Sequence, residues 1–237
     1  LASRRRIRRY GGPNVLSNTV AVFSVPRLTW TDHMFAFVRA LVPLGITVEK
    51  HSGVYWGQSL SRCISKHLDD GTEYILTLDY DTYARPDDLA ELHRLCSADP
   101  QIDAVCAVQV RRGSDVLLGG MSTGDKVRPL TADDLAGDDD LVQLATGHFG
   151  ATVLRVDAIK RMPKPWFHGQ PDADGDWGPL RIDDDVWFWT QWHAAGNRLF
   201  VAPAVRVGHI QPMVTWPPEP AAGDAGPRHQ YISEVEP

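Results

Sequence analysis

The sequence lacks any long hydrophobic run. No apolar segment in the 237 residues approaches the roughly 20 residues that a membrane-spanning helix requires. The basic start, LASRRRIRRY, is not followed by an apolar stretch, so it does not have the pattern of a secretion signal. We therefore expect a cytoplasmic protein with no membrane span.

Cysteine is also scarce. The three cysteines, Cys63, Cys96 and Cys106, lie within apolar patterns, and their spacing does not match that of a metal site. The sequence therefore predicts buried, reduced thiols, as is usual in a cytosolic protein.

Positive charge is in short supply over most of the chain. A net charge of -6 argues against a protein that coats nucleic acid through charge alone. The exception is a cluster of five arginines between Arg4 and Arg9. Such a cluster either contacts phosphate groups or forms a solvated terminal arm, and the sequence leaves both interpretations open.

Apolar residues are plentiful, at 43% of the chain, which is enough for one large domain or two small ones. Short β-branched runs alternate with segments whose apolar residues recur at helical spacing. Four strands are predicted, with helices between them: TVAVFSV, ITVEKHS, EYILTLD and IDAVCAVQV. This order is typical of an α/β fold with a mostly parallel sheet covered on both faces.

Local signals give finer expectations. The helix in GQSLSRCISKHLDDG is expected to bury a face that continues to His67 and Leu68, with Gly71 as its C-terminal cap. Pro86 is expected at the first position of the next helix. Segment 163–179 is rich in Pro, Gly and Asp and is expected to be flexible.

The stretch YILTLDYDTYARPDDL places two aspartates, Asp79 and Asp81, where a buried strand leaves the core. Side chains alternate along a strand, so both carboxylates are expected on one side. In a sheet of this kind, ligands bind beyond the carboxyl ends of the strands. Because adjacent carboxylates repel each other, we expect a divalent cation with oxygen ligands beside them.

Asp79, Asp81 and Thr82 form a D-x-D-x-T sequence after an apolar strand, which resembles the first motif of haloacid-dehalogenase-like phosphatases. In that family the first Asp is a nucleophile and the second an acid/base. The family normally carries this motif on its first strand, whereas two strand–helix units precede it here. A phosphatase is therefore the alternative, together with a nucleotidyltransferase or a binding module without turnover.

A broader resemblance extends through most of Val20 to Gln211 and is to the nucleotide-sugar glycosyltransferases of the GT-A fold, family-2-like. It rests on the order and spacing of four segments: SLSRCISKHLDDGTEYILTLDYDTYARPDDLAELH, DAVCAVQVRRG, ATGHFGATVLRVDAIKRM and DDDVWFWTQWHAAGNRLFVAPAVRVGHI. The first resembles the segment in which an Arg-bearing helix precedes the D-x-D strand. The last is similar to the acidic pair, aromatic helix and final strand that ends in a His. One departure is that Asp183, Asp184 and Asp185 replace the usual Glu-Asp.

The resemblance implies a role for individual residues. Asp81 is the first choice for direct contact with Mn²⁺ or Mg²⁺, Asp79 binds through water or holds the ribose, and His209 matches the third metal ligand. Asp185 is the expected general base, with Asp184 as the alternative; a base there implies inversion at the anomeric carbon. The expected contacts to a nucleoside-diphosphate sugar, a UDP-sugar first of all, are Pro26, Arg27, Arg62, Asp79, Tyr80, Asp81, Gly147 and His148.

The same resemblance suggests a division of the chain. We expect a basic arm at 1–18, one domain at 19–216 and a Pro/Gly-rich tail at 217–237. Within the domain, 19–112 would bind the nucleotide and 113–216 the acceptor. Compact phage enzymes of this kind modify hydroxymethylated DNA bases, so the arginine cluster suggests DNA as the hydroxyl acceptor, in the host cytoplasm. Glycan, lipid-linked and protein acceptors remain open.

Overall fold

The structure is a computed structural model that describes residues 16, 18–25, 31–53, 55–124, 126–211, 213–216 and 228–231. The arginine cluster and two predicted donor contacts, Pro26 and Arg27, lie outside the described residues. Of the predicted tail, the description covers only 228–231.

Five α-helices and thirteen strands form the described part of the chain. The helices are α1 (Thr31–Leu41), α2 (Trp56–Lys66), α3 (Pro86–Ala98), α4 (Val156–Lys160) and α5 (Asp184–Ala194). The strands are β1 (Thr19–Val25), β2 (Thr47–Ser52), β3 (Tyr74–Asp79), β4 (Thr82–Tyr83), β5 (Ala104–Val108), β6 (Gly120–Ser122), β7 (Val127–Pro129), β8 (Val142–Leu144), β9 (Ala151–Arg155), β10 (Leu199–Arg206), β11 (Gly208–His209), β12 (Met213–Trp216) and β13 (Arg228–Tyr231).

Seven strands form the central sheet, in the order β2-β1-β3-β9-β5-β10-β8. β1, β2 and β3 pair in parallel, as do β5 and β10. β9 runs antiparallel between β3 and β5, and β8 runs antiparallel at one edge. The predicted α/β class with a mostly parallel sheet is therefore confirmed.

Helices cover both faces of the sheet, because alternate residues of each central strand point to opposite sides. On β3, Ile75 joins the core beneath α2, α4 and α5, whereas Leu76 and Leu78 join the core beneath α1 and α3. The first core ends in an aromatic layer in which Phe188 contacts Phe149, Phe167, Trp189 and Trp192. This layer fixes α5 against the sheet.

The three cysteines are free and fully buried, as predicted. Burial raises the pKa of the Cys63 thiol to about 11 and that of the Cys96 and Cys106 thiols to about 12. Thiols in such surroundings stay protonated and unreactive.

Several local expectations were wrong. α2 ends at Lys66 with His67 as its C-cap, and the His67 ring bonds the Asp70 carboxylate in the turn that follows, so Gly71 does not cap the helix. Segment 163–179 is anchored at its start, because Trp166 and Phe167 are 3% and 8% exposed and belong to the core.

Two short described segments belong to the expected arm and tail. Residues 228–231, placed in the tail, form β13 and pair with β12. In the arm, Leu16 donates its backbone N–H to the carbonyl of Leu44. Within the described residues, no helix is long and apolar enough to cross a membrane.

Candidate active site

β3 delivers both aspartates of the D-x-D sequence to the carboxyl edge of the sheet. Its side chains are buried until Asp79, where the strand ends. The chain then turns into β4, which pairs antiparallel with β11 and sets His209 opposite Thr82. The Ile210 backbone N–H donates to the Asp81 carbonyl at 2.6 Å, which fixes this short ladder. Asp81 and His209, 128 positions apart, thus become neighbours.

Asp81 is 2% exposed and is held by two cationic groups. His209 Nε2 lies 3.1 Å from Asp81 Oδ2, and an Arg112 guanidinium nitrogen forms an ion pair with the same oxygen. Burial raises the pKa of Asp81, but the hydrogen bond to His209 and the charges of His209 and Arg112 outweigh it, so the pKa is lowered. The carboxylate is therefore ionised.

The His209 ring is oriented by the backbone. Its Nδ1–H donates to the Val110 carbonyl at 2.9 Å, so Nε2 either donates a proton to Asp81, in the protonated ring, or accepts the Arg112 N–H with its lone pair, in the neutral ring. The hydrogen bond to Asp81 raises the pKa of His209, and burial opposes this in part. A backbone carbonyl on the second nitrogen is the usual support for a metal-binding histidine.

These two residues fit a divalent cation in part. Ligand atoms at right angles around a metal, with bonds of about 2.1 Å, lie about 3.0 Å apart, close to the 3.1 Å between Asp81 Oδ2 and His209 Nε2. Among the described residues, however, no group of three or more His, Cys, Asp or Glu side chains converges as a metal site. The predicted triad is therefore a pair in this structure, with Asp79 apart from it.

Asp79 faces a cleft. Its Oδ1 accepts a hydrogen bond of 3.3 Å from the indole N–H of Trp56, at the start of α2. Burial, with repulsion from the ionised Asp81, raises the pKa of Asp79 to about 6 despite that hydrogen bond. The two aspartates thus differ in partner and in the direction of their pKa shift.

The cleft has a volume of about 920 Å³, which is large enough for a small-molecule ligand. It lies between the start of α2, the end of β3, segment 165–177 and the start of α5. Its lining residues are Tyr55, Trp56, Gln58, Ser61, Asp79, Pro165, Phe167, His168, Gly169, Trp177, Asp183, Asp184 and Asp185. Asp79 and the candidate bases therefore share one cavity.

The three aspartates at the start of α5 have different surroundings. Asp183, the N-cap, pairs with the Arg181 guanidinium at 2.6 Å. Asp184 accepts a hydrogen bond from the Gly169 backbone N–H. Asp185 accepts one from the N–H of Val186 in its own helix, and burial, with repulsion from Asp183 and Asp184, raises its pKa.

Two predicted donor residues, Arg62 and His148, have other contacts in the structure. Arg62 is exposed and its guanidinium lies 3.0 Å from His51 Nε2, and it does not line the cleft. Both His148 nitrogens bond backbone groups, Nε2 to Ala107 and Nδ1 to Gly150, and burial lowers the His148 pKa to about 4. Arg62 therefore lies in a surface pair and His148 is a buried neutral ring, and their expected contacts to a donor stay predictions.

Gly147 has a packing reason to be glycine. A Cβ at this position would stand 3.0 Å from Leu199 Cδ2 and 3.5 Å from Trp189 Cζ2. The TGHFG loop therefore approaches the core closely at Gly147, where a larger residue would push against β10 and α5.

Other residues at the site were not assigned a role from the sequence. Arg112 contacts Asp81 and His209, and Tyr80, a predicted donor contact, receives a hydrogen bond of 3.3 Å from it. Gln109 is 3% exposed and bonds Thr82 and the Gly208 carbonyl, which joins β4 to β11. The sequence shows two adjacent arginines after β5, Arg111 and Arg112, but no local pattern indicated that Arg112 contacts Asp81 and His209.

Comparison with known proteins gives structural likeness only. No protein-family model matches the chain, and no curated protein matches its sequence significantly. The crystal structure of A197 from STIV superposes with a TM-score of 0.54 at 12% identity, over 82% of this chain and 96% of that chain. This likeness shows a shared fold and nothing about activity.

Two other solved structures superpose less well. GalNAc-T7 with UDP, GalNAc and Mn²⁺ has a TM-score of 0.48 at 15% identity, over 81% of this chain and 43% of that chain. The mannosyltransferase PcManGT from Pyrobaculum calidifontis, in complex with GDP-Man and Mn²⁺, has a TM-score of 0.49 at 12% identity, over 82% and 57%. At these scores neither likeness carries an argument.

Proposed function

We propose that the protein transfers a sugar from a nucleoside-diphosphate sugar, a UDP-sugar first of all, to a hydroxyl group of an acceptor. One observation carries the proposal: Asp79, at the carboxyl end of a buried strand, lines the same cleft as Asp185, at the N-terminus of α5. The first belongs to the D-x-D sequence expected at the donor, and the second has the raised pKa that suits a base. The sequence resemblance to the GT-A fold supports the same activity.

Asp185 is the proposed general base. The acceptor hydroxyl oxygen would attack the anomeric carbon, its proton would pass to the Asp185 carboxylate, and the bond from that carbon to the diphosphate oxygen would break. The diphosphate leaves with the bonding electron pair. A single displacement of this kind inverts the anomeric carbon.

The surroundings favour Asp185 over Asp184 as this base. The Asp184 carboxylate accepts from the Gly169 N–H and is packed closely against Gly57, where an added Cβ would lie 2.6 Å from its Oδ2. Asp185 keeps a carboxylate oxygen that no described hydrogen bond engages, and like charges beside it raise its proton affinity. We therefore assign Asp184 the structural role of holding the cleft wall and Asp185 the role of general base.

Asp81 and His209 are the residues that would hold Mn²⁺ or Mg²⁺, because the Asp81 carboxylate is ionised and the His209 Nε2 is directed at it. Such a cation offsets the negative charge that develops on a departing diphosphate. Asp79, which accepts a hydrogen bond from Trp56 on one oxygen, would hold the ribose or a water. Tyr80, Pro26 and Arg27 stay proposed donor contacts.

The phosphatase alternative is less well supported. Its acid/base would be Asp81, but that carboxylate is 2% exposed and already engaged by His209 and Arg112. It also requires a lysine, and none of the described residues that line the cleft is a lysine.

Calorimetry with UDP tests the proposal. We expect measurable binding in Mn²⁺ and binding at least about tenfold weaker in chelator, since the metal would bridge the diphosphate to the protein. Equal affinity with and without metal would contradict the metal bridge. A parallel assay with a generic aryl phosphate separates the alternatives, because a phosphatase would hydrolyse it and release phosphate.

A further inference from the structure

The Arg112 guanidinium lies where a metal would approach Asp81 and His209. One of its nitrogens pairs with Asp81 Oδ2, and its Nε donates to His209 Nε2 at 3.2 Å. Its Cζ also lies 5.6 Å from the centre of the Tyr80 ring, and one of its nitrogens contacts the Tyr80 hydroxyl. One arginine thus engages both atoms that are placed to bind a divalent cation.

We infer that Arg112 is a built-in counter-ion that competes with the divalent cation for Asp81 and His209, and leaves them when the cation binds. A lone pair that accepts a guanidinium hydrogen bond is not available to a metal at the same time. Both the Asp81 Oδ2 and the His209 Nε2 contacts must therefore break. The contact of Arg112 with a donor rests on the proposed function. Its competition with the divalent cation does not.

The exchange needs only a side-chain movement. The Arg112 side chain is 56% exposed, whereas that of Asp81 is 2% exposed, so the guanidinium enters the site from solvent and can return there. The backbone around it is fixed: the Arg111 N–H bonds the Val116 carbonyl at 2.8 Å, and the Gly113 N–H bonds Gln211 Oε1 at 2.6 Å.

Once released, the guanidinium would remain beside the metal on a fixed turn. A guanidinium binds phosphate oxygens in a bidentate fashion, which a lysine does not. Arg112 would therefore contact the diphosphate of a donor that binds with the metal. In this way a single residue keeps the ionised Asp81 paired before binding and favours the anionic donor afterwards.

Manganese binding without nucleotide tests the exchange, with free Mn²⁺ measured by electron paramagnetic resonance. We expect Arg112→Gln to bind Mn²⁺ at least about tenfold more tightly than the wild type, because a charge-assisted hydrogen bond no longer has to break. The control is Arg111→Gln, which removes the same charge from an exposed neighbour that has no described contact with Asp81. Equal gains in both variants, or no gain in either, would overturn the inference.

Folding and function are checked separately. Circular dichroism establishes that Arg112→Gln is folded; should it not be, Arg112→Met replaces it and is expected to bind Mn²⁺ more tightly than the wild type, since a thioether carries no charge and donates no hydrogen bond. At saturating Mn²⁺, Arg112→Gln should bind UDP about tenfold more weakly than Arg111→Gln. If Arg112→Gln binds Mn²⁺ more tightly but no variant binds UDP, the proposed function is rejected and the exchange is kept. If UDP binds but the Mn²⁺ affinity of Arg112→Gln equals that of the wild type, only the exchange is rejected.

Discussion

At the scale of single residues, Asp79 and Asp81 lie one position apart in sequence but have opposite electrostatics. Burial, with repulsion from Asp81, raises the pKa of Asp79 to about 6, whereas His209 and Arg112 hold the pKa of Asp81 low. In active sites, two carboxyl groups whose surroundings drive their pKa values apart commonly have different roles, one exchanging a proton and the other staying ionised. The difference arises from partners that other strands supply.

Asp79→Asn should stabilise the metal-free protein at neutral pH. The folded pKa of about 6 lies above the ordinary 3.8, so the folded state binds the proton more tightly and stability falls as pH rises from about 4 to 6. A neutral amide avoids this loss. We expect a gain of about 1–3 kcal/mol at pH 7.5 that disappears below about pH 4.

Denaturant unfolding in chelator across this pH range measures the effect. The control is Asp139→Asn, which changes an exposed carboxylate. A constant difference between Asp79→Asn and the wild type at every pH would mean that Asp79 has no raised pKa.

Asp185→Asn should lower kcat by about 10² or more and leave UDP affinity nearly unchanged, because general-base catalysis typically contributes 10²–10⁴. Since the pKa of Asp185 is raised, the wild-type rate should fall as pH drops through that value. Steady-state kinetics measures kcat, and calorimetry measures the UDP affinity. Asp183→Asn is the control, because Asp183 is paired with Arg181; full activity in Asp185→Asn with none in Asp184→Asn would move the role by one residue.

At the scale of elements, the cleft depends on how closely α2 approaches α5 and the segment before it. Gly57, in the first turn of α2, allows that approach: an added Cβ would lie 2.5 Å from Phe167 Cβ and 2.6 Å from Asp184 Oδ2. The same Asp184 carboxylate bonds Gly169. The Asp184 carboxylate, at the start of α5, thus contacts α2 at Gly57 and the segment before α5 at Gly169. These contacts hold the three parts of the cleft wall together.

Gly57→Ala should therefore destabilise the protein by about 1–3 kcal/mol, because the methyl group overpacks this contact. Helix propensity alone predicts the opposite, a gain of about 1 kcal/mol. Thermal unfolding checks the sign. Gly137→Ala is the matched control, since a Cβ there meets nothing within 4 Å; a Tm for Gly57→Ala equal to or above that of the control would show that the wall adapts without cost.

At the scale of the whole molecule, charge is distributed unevenly. The cleft is lined by four aspartates, and none of the described residues that line it is Lys or Arg. Trp177 and Tyr55, at 63% and 70% exposed, add aromatic surface of the kind on which sugars stack. The arginines at 4–9, which suggested DNA as acceptor, lie outside the described residues.

We predict transfer to a glycan hydroxyl rather than to hydroxymethylated DNA, because a sugar can stack on the exposed rings of Trp177 and Tyr55, whereas the described cleft residues include no Lys or Arg to contact the phosphates of a duplex. The protein is incubated with Mn²⁺, a panel of nucleotide sugars and either acceptor, and mass spectrometry detects an added hexose or pentose. A sugar added to DNA would contradict the prediction. If that addition also fell steeply as salt rose from about 50 to 200 mM and on deletion of residues 1–9, the arginine cluster would be its phosphate contact.

The order of strands and helices along the chain was predictable from the sequence, but the pairing of strands within the sheet was not. Alternating apolar periodicity placed the first four central strands and the helices between them, and Pro86 begins α3 as predicted. The segment LVQLATGHFGATVLRV forms two strands around a loop. Its strands, β8 and β9, lie at the edge and in the middle of the sheet, because each pairs with strands distant in sequence.

The sequence by itself determined which residues reach the edge of the sheet: Asp79 ends β3, Asp81 follows in the turn before β4, and Asp183 is the N-cap of α5, whose first two residues are Asp184 and Asp185. Periodicity and capping act over a few residues, so these features are readable locally. Only the tertiary structure decided which groups meet. The contact of Arg112 with Asp81 and the burial of His148 depend on strands brought together from distant parts of the chain, and no local pattern records that pairing.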